Sequence, residues 1–345
     1  MKLVAIVATA LFASLGLLVL AGCPNEARND SIRAQNEGTK AYGAKQYDTA
    51  IVAYKRAVEK WSDNHPAWWG LGGVYSEKKD WTNAVEAMSH AVQLAPDQGM
   101  YQLMYGRFLY EKAVQTAREE AARRENKKPE EVTADLTSVN FEKPLQHLQE
   151  ALKLNPDLWR AHYYIGRIYR DTGRSKEGAE ELTKALQAGP IEPGPWVALA
   201  ELYRRWDYTD QAIQIAEAGT AVVPGTAEKS QIWYEVGMGY YDKRNNDRAV
   251  DAFSKALDAK RDYHAAKFQR GQAYYNKGDY ANAKRDLEEF AKAGGASVQF
   301  EKQQASKMLV DIAAKSVVPG STPVEPVQSP EDVVKKSKSG KGRRR

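Results

Sequence analysis

The sequence is poor in the residues that build folds held by disulfides or metal ions. Its 345 residues include a single cysteine and five histidines. One cysteine cannot form an internal disulfide. The histidines are scattered at spacings unlike those of known metal sites; they are His65, His90, His147, His162 and His264. We therefore expect neither a disulfide, nor a metal site, nor a bound cofactor.

Catalytic signatures are also missing. The chain has no GxSxG elbow and no HExxH motif. GLGG at residues 70–73 and SGKG at residues 339–342 lack the strand before the glycines and the complete GK[ST] ending of a phosphate loop. Acidic pairs lie on charged helical segments, where they are ordinarily solvated. These absences predict a protein without enzyme activity.

An uncharged apolar run occupies the N-terminus. Lys2 is followed by twenty uncharged residues, Leu3 to Gly22, which suits either a membrane span or a secretory signal. The run ends in Leu-Ala-Gly-Cys, which resembles the lipobox of bacterial lipoproteins. The resemblance implies a signal peptide at residues 1–22, lipidation of Cys23 and a lipidated linker at residues 23–30. The alternative is an uncleaved anchor with an incidental cysteine. Pro24 is not the aspartate associated with inner-membrane retention, which favours the outer membrane.

A repeat with a period of about 34 residues organises the body of the chain. Residues 68–96 resemble a tetratricopeptide repeat (TPR), with Trp68, Leu71, Gly72, Tyr75 and Pro96 at its offsets. Seven such units align, and the period between them is broken only by one long and one short insertion. The small residue of each first helix is Gly38, Gly72, Gly106, Gly166, Ala200, Gly237 or Gly271.

Helix packing explains the pattern. The motif residues recur at i, i+3, i+4 and i+7, which places them on one helix face, and small residues let the paired helices approach closely. Prolines such as Pro96 and Pro156 then end the second helices. A helix pair buries little apolar surface alone, so neighbouring pairs must stack. We predict an all-α, superhelical solenoid of about seven TPR helix pairs over residues 31–297.

Two segments depart from the period. Residues 114–140 interrupt the third repeat, and we predict that they extend its first helix and return through a loop or a short helix begun at Pro129. This arm is either a solvated spacer or a contact for a specific partner. Residues 298–316 form an amphipathic segment that is predicted to be a capping helix at the end of the array.

The resemblance implies that the first helices line a concave groove that binds peptides or proteins. Aromatic and arginine side chains fit such a surface, because they are the residues of interface hot spots and arginine grips carboxylates. We therefore predict a basic central groove for an acidic, apolar peptide. The alternative is that the aromatics pack between repeats and the arginines pair with acids of the same wall. The predicted groove residues are Trp69, Arg107, Tyr110, Arg160, Tyr163, Arg167, Arg170, Arg204, Arg205, Tyr234, Tyr241, Phe268 and Tyr275.

The C-terminal residues 317–345 have the composition of a disordered tail, first proline-containing and then basic. Residues 331–345 carry seven basic and two acidic residues, which accounts for the whole net charge of +5. The tail is predicted either to bind anionic lipid or an acidic envelope partner or to act as a solubilising segment, and no nucleic acid is expected for an exported protein. Its basic residues are Lys335, Lys336, Lys338, Lys341, Arg343, Arg344 and Arg345.

Two hypotheses for function follow. In the first, the protein is a lipid-anchored adaptor or scaffold of the cell envelope, facing the periplasm, whose groove holds a protein or peptide partner. Similar lipoproteins assist the assembly of outer-membrane, pilus, secretion or cell-wall machines. In the second, it is a structural protein associated with membrane or glycan through its basic tail.

Overall fold

A computed structural model describes residues 24–292 and 299–316. Within these residues the chain forms fifteen α-helices and one 3₁₀ turn, and it contains no strand. Fourteen helices make seven antiparallel pairs, and the last helix follows them. The pairs are α1 (Pro24–Gly43) and α2 (Tyr47–Lys60), α3 (His65–Glu77) and α4 (Trp81–Leu94), α5 (Gly99–Glu125) and α6 (Glu142–Leu154), α7 (Trp159–Asp171) and α8 (Ser175–Gln187), α9 (Pro193–Arg205) and α10 (Thr209–Val222), α11 (Lys229–Asp242) and α12 (Asn246–Ala259), and α13 (His264–Lys277) and α14 (Tyr280–Lys292), followed by α15 (Gln299–Ser316).

The small residues of the first helices lie where the paired helices cross. A Cβ atom added to Gly106 or Gly166 would lie 2.8 Å from the Cγ of Leu148 or Leu182, respectively. Each leucine is fully buried and belongs to the second helix of the same repeat. Glycine is therefore required for close packing, as the period predicts.

The turn inside each repeat adopts a left-handed backbone at one residue. In four repeats a non-glycine residue carries the positive φ angle: Lys45, Lys79, Asp207 and Arg244, at 56° to 66°. Glycines do so in the turns at residues 173 and 278. Left-handed residues commonly end a helix and let the chain reverse, so this turn sets the antiparallel direction of each pair.

Successive first helices contact one another along most of the array, whereas no two second helices in the described part make comparable contact. The first helices α1, α3, α5, α7, α9, α11 and α13 therefore form one continuous surface, which we call the inner face. The helices α3 and α5 are the exception, because their backbones make little contact and side chains such as Trp69 and Tyr101 join them instead.

The insertion in the third repeat lengthens α5 to 27 residues. The chain then reverses at Asn126, whose φ is 52°, and forms the 3₁₀ turn Pro129–Glu131 against α5. Leu136 and Val139 of the returning segment pack on the core between the third and fourth repeats. The predicted extension of the first helix is present, and the return is a loop that opens with a single 3₁₀ turn at the proline.

Both ends of the described array are helical. Helix α1 begins at Pro24, so residues 24–30 form part of the first repeat, and the predicted linker at 23–30 is wrong for these residues. Proline is favoured in the first turn of a helix because no intrahelical partner is lost there. At the other end, α15 buries Ala305 and Ile312 against Phe290, which confirms the capping helix.

Three predictions fall outside the described residues: the signal peptide with Cys23, the end of the array at 293–298, and the tail at 317–345. Among the helices at residues 24–292 and 299–316, none combines the length and apolar character needed to cross a membrane.

Candidate functional site

The predicted aromatic residues divide into exposed and buried rings. Trp69 is 42% exposed on the inner face, whereas Tyr110 and Phe268 are only 1% and 3% exposed. The Tyr110 hydroxyl donates to Asp171 Oδ2 at 2.5 Å, and the Phe268 ring packs on Phe290. Both rings fill space between neighbouring helices, so their prediction as ligand contacts is wrong. The predicted tyrosines that remain half-buried are Tyr163, Tyr234, Tyr241 and Tyr275.

Four of the six predicted groove arginines are held by carboxylates of the same wall. This arrangement corrects the expectation of a basic central groove, because each positive charge has a negative partner at close range. The pairs are Arg160 with Glu192, Arg167 with Glu111 at 3.2 Å, Arg170 with Asp171 at 2.8 Å and with Glu201 at 3.2 Å, and Arg204 with Asp242 at 3.0 Å.

Arg107 and Arg205 differ from these four, since neither forms an ion pair within the described part of the chain. Arg205 is exposed to solvent. Arg107 is partly buried, and its fully buried Nε has no hydrogen-bond partner in residues 24–292 and 299–316. Its guanidinium carbon lies 5.8 Å from the ring centroid of Tyr164. An unpaired buried donor is uncommon and calls for an explanation.

Arg107 lines a cavity of about 380 Å³ on the inner face. The cavity lies among α1, α3 and α5, where the backbones of α3 and α5 make little contact. We call it the N-terminal cavity. Its apolar lining comes mainly from Tyr42, Tyr54, Trp69, Met88, Met104 and Phe108. Its size and its apolar wall with few polar groups are those of a ligand pocket.

Small residues on one face of α3 border this cavity. Gly70, Gly73 and Ser76 recur every third residue, and all three line it. A Cβ atom on Gly73 would lie 3.7 Å from the Tyr42 ring, which is ordinary contact distance, so a methyl group fits there without a clash. The Ser76 hydroxyl is turned to the Gly73 carbonyl at 2.8 Å.

Sequence reasoning missed most of this site. Helix packing, the interpretation that the sequence favours for GLGG, is right for Gly72, whose added Cβ would lie 2.9 Å from Met88. It does not account for Gly73, which faces the cavity. One signal in the sequence could have indicated the cavity. Only the second repeat has glycine or serine at all three of the positions 70, 73 and 76, where the other repeats carry mostly larger residues. Tyr42 and Met104 carried no distinguishing signal.

A second group of buried polar atoms lies further along the inner face. Glu235 of α11 is 8% exposed, and its Oε2 lies 3.5 Å from Arg204 Nε, with neither atom forming a hydrogen bond. Burial raises the pKa of Glu235 to about 7, while Arg204 opposes the rise and Glu201 adds to it. Burial likewise raises the pKa of Tyr234 to about 12. The carboxyl of Glu235 therefore titrates near neutral pH.

Metal ligands are not grouped at either place. Within residues 24–292 and 299–316, no three His, Cys, Asp or Glu residues are arranged to hold a metal ion. His162 is paired with Glu181, whose Oε2 lies 2.6 Å from its Nδ1.

Comparison with known proteins identifies the repeats. The tetratricopeptide repeat family matches residues 36–99 and 234–297. The pairing, the period and the small residues at the crossings agree with those matches. The fold is a tetratricopeptide-repeat solenoid. A second family, regulator of microtubule dynamics protein 1-3, matches residues 82–194 of the TPR array. No curated protein matches this sequence significantly.

Solved structures share the TPR fold at low sequence identity. A chain of the APC/C hetero-tetramer Cut9-Hcn1 is 13% identical with a TM-score of 0.57, over 84% of this chain and 54% of that one, so this chain spans about half its length. A tetratricopeptide repeat protein from Parabacteroides merdae is 14% identical (TM-score 0.55; 83% and 99% covered). Human IFIT1, solved as a dimer with PPP-AAAA, is 16% identical (TM-score 0.51; 85% and 70% covered). At such identities the likeness establishes the fold alone.

Proposed function

We propose that this protein is a non-enzymatic scaffold that holds a segment of a partner protein in the N-terminal cavity. One observation carries the proposal: the inner face is closed by ion pairs in its middle repeats but open at this cavity, where Trp69 is exposed and Arg107 has no ion-pair partner among the described residues. Exposed tryptophan and arginine beside an apolar pocket are the features of an interface hot spot.

Site-specific crosslinking in native membranes tests the proposal. A photoreactive phenylalanine analogue at Trp69 should capture a partner protein, which mass spectrometry identifies. The same analogue at Tyr208, which is 54% exposed in the turn between α9 and α10, is the matched control. Gly73→Leu should remove the product formed at Trp69, because the new side chain occupies the cavity. A product that persists with Gly73→Leu, or that forms equally from Tyr208, would contradict the proposal.

We propose further that the array is held at a bacterial outer membrane by lipid on Cys23, facing the periplasm. The support is the lipobox-like sequence together with α1, which begins at the next residue. Seven helical residues rise only about 10 Å, so the first repeat would lie against the membrane and the cavity close to it. Such a placement suits a protein that assists assembly of an envelope machine, which the crosslinked partner would identify.

Lipidation has a direct test. Cys23→Ser should abolish incorporation of labelled palmitate, because the variant has no thiol to lipidate, whereas the natural protein should carry the label. The variant Ser31→Ala, in the same helix as the residues that follow Cys23, is the control and should keep the label. A natural protein that takes up no label, or a Cys23→Ser chain that keeps the label, would contradict lipidation at Cys23.

A further inference from the structure

We propose that the N-terminal cavity selects a segment in which an aromatic or long aliphatic side chain lies next to an aspartate or glutamate. This inference rests on the proposed function and adds the chemistry of the bound segment. The apolar side chain enters the cavity, and the neighbouring carboxylate pairs with Arg107.

The cavity wall accounts for the apolar part. Rings and thioethers surround the space, and the hydroxyl of Tyr54 is already engaged with Thr39 Oγ1 at 3.0 Å. Trp69 stands at the rim, stacked on Tyr101 with ring centroids 5.9 Å apart. Burial of an apolar group against such a wall is energetically favourable, and a cavity of about 380 Å³ has room for a large side chain.

The acidic part follows from comparing two equivalent positions of the array. In the fourth repeat, Arg167 pairs with Glu111 of the third repeat at 3.2 Å. The equivalent residues one repeat earlier are Arg107 and Glu77, the latter one period before Glu111. Both line the cavity, yet they form no ion pair. Glu77 instead accepts from the Tyr42 hydroxyl at 3.5 Å.

The cavity thus lies where the counterpart of the Arg167–Glu111 pair is missing. Arg107 keeps a guanidinium directed to aromatic rings, with its buried Nε unpartnered. Arginine binds carboxylates in a planar, bidentate geometry that is stronger than a neutral hydrogen bond. An incoming carboxylate would give Arg107 the partner that Glu111 gives Arg167. Glu77 also lines the cavity, and its negative charge would repel a second acidic residue of the bound segment on that side.

Peptide binding to the purified full-length protein tests the selection. The probes are fluorescein-labelled, C-terminally amidated peptides of glycine and serine with a central Phe-Glu, Phe-Gln, Phe-Lys or Ala-Glu pair. A fifth peptide ends in phenylalanine with a free carboxylate. Fluorescence anisotropy should show that Phe-Glu binds at least about tenfold more tightly than Phe-Gln, as expected for a charged hydrogen-bonded pair. Phe-Lys and Ala-Glu should bind more weakly still.

Three variants connect the selection to the cavity. Arg107→Gln should remove the preference for Phe-Glu over Phe-Gln while the weak binding of both persists. Glu77→Gln should strengthen binding of Phe-Glu, because a competing negative charge is lost. Gly73→Leu should abolish binding of every peptide. Circular dichroism confirms that each variant keeps its helical content.

The outcomes separate this inference from the proposed function. Equal binding of Phe-Glu and Phe-Gln, preference only for the free C-terminal carboxylate, or no binding of any peptide overturns the acidic-neighbour assignment. The proposed function survives these results if crosslinking at Trp69 still captures a partner that Gly73→Leu excludes. Peptide binding that is insensitive to Gly73→Leu overturns the acidic-neighbour assignment. A Trp69 crosslink that never forms, or that persists in Gly73→Leu, overturns the proposed function as well.

Discussion

Glu235 gives the protein a pH-dependent stability that one substitution should remove. The carboxyl is buried, and burial raises its pKa to about 7 from the ordinary 4.5. The folded state therefore holds a proton between these pH values that the unfolded state has released. The contribution of this group to the free energy of unfolding is therefore largest below about pH 4.5. It decreases as the pH rises and is lost once the pH has passed 7.

The magnitude follows from linkage. One unit of pKa difference between the folded and unfolded states corresponds to about 1.4 kcal/mol. Ionisation of Glu235 therefore lowers the free energy of unfolding by about 2.5 kcal/mol between pH 5 and pH 8. Glu235→Gln keeps the size of the side chain and cannot ionise. Relative to the natural protein, the variant should gain about that free energy of unfolding across this interval, because its neutral amide avoids the cost of burying a charge.

Urea unfolding followed by circular dichroism at pH 5, 6, 7 and 8 measures the difference. Glu192→Gln removes a carboxylate whose side chain is 46% exposed, and it is the matched control. A carbon-13 NMR titration of the Glu235 carboxyl, with a midpoint near 7, gives the same information without assuming cooperative unfolding. Parallel stability curves for the natural protein and Glu235→Gln, or a midpoint near 4.5, would refute the reasoning, and would mean that Arg204 keeps the carboxylate ionised.

Two further predictions concern the inner face. Gly73→Ala should raise the melting temperature by an amount corresponding to at most about 1 kcal/mol, since alanine favours helix and the added Cβ meets the Tyr42 ring only at 3.7 Å. Gly70→Ala should lower it, because its Cβ would lie 2.5 Å from the Tyr54 ring; equal effects would contradict the packing described here. Arg167→Glu should lower the free energy of unfolding by about 2 kcal/mol, because it places a second carboxylate beside the partly buried Glu111, and a stable variant would show that the pair is not needed.

The last prediction changes how the groove hypothesis must be tested. Reversing Arg167, Arg170 and Arg204 together would break ion pairs that hold neighbouring repeats. Loss of a partner after that change would not distinguish a missing contact from a damaged fold. Substitutions at the N-terminal cavity avoid this difficulty, because Gly73 and Arg107 form no ion pair in the described residues.

Much of the fold followed from the sequence because its determinants are local and periodic. A small residue once in each period marks a helix crossing, and the proline that follows α4, Pro96, marks where that helix ends. The insertion and its return at Pro129 could also be placed, because an interrupted period shows where extra residues lie. Residues 24–30 could not, because no period precedes them and their polar composition suits a linker as well as a helix.

The candidate site depended on the tertiary structure. The sequence by itself determined which residues belong to the first helices, and so which side chains can reach the inner face at all. It did not determine that Tyr110 would turn into the core, that Arg167 would find Glu111, or that Arg107 and Glu77 would remain apart. Those outcomes depend on the separation of neighbouring helices by a few ångströms, which the stacking of whole repeats decides and no local pattern records.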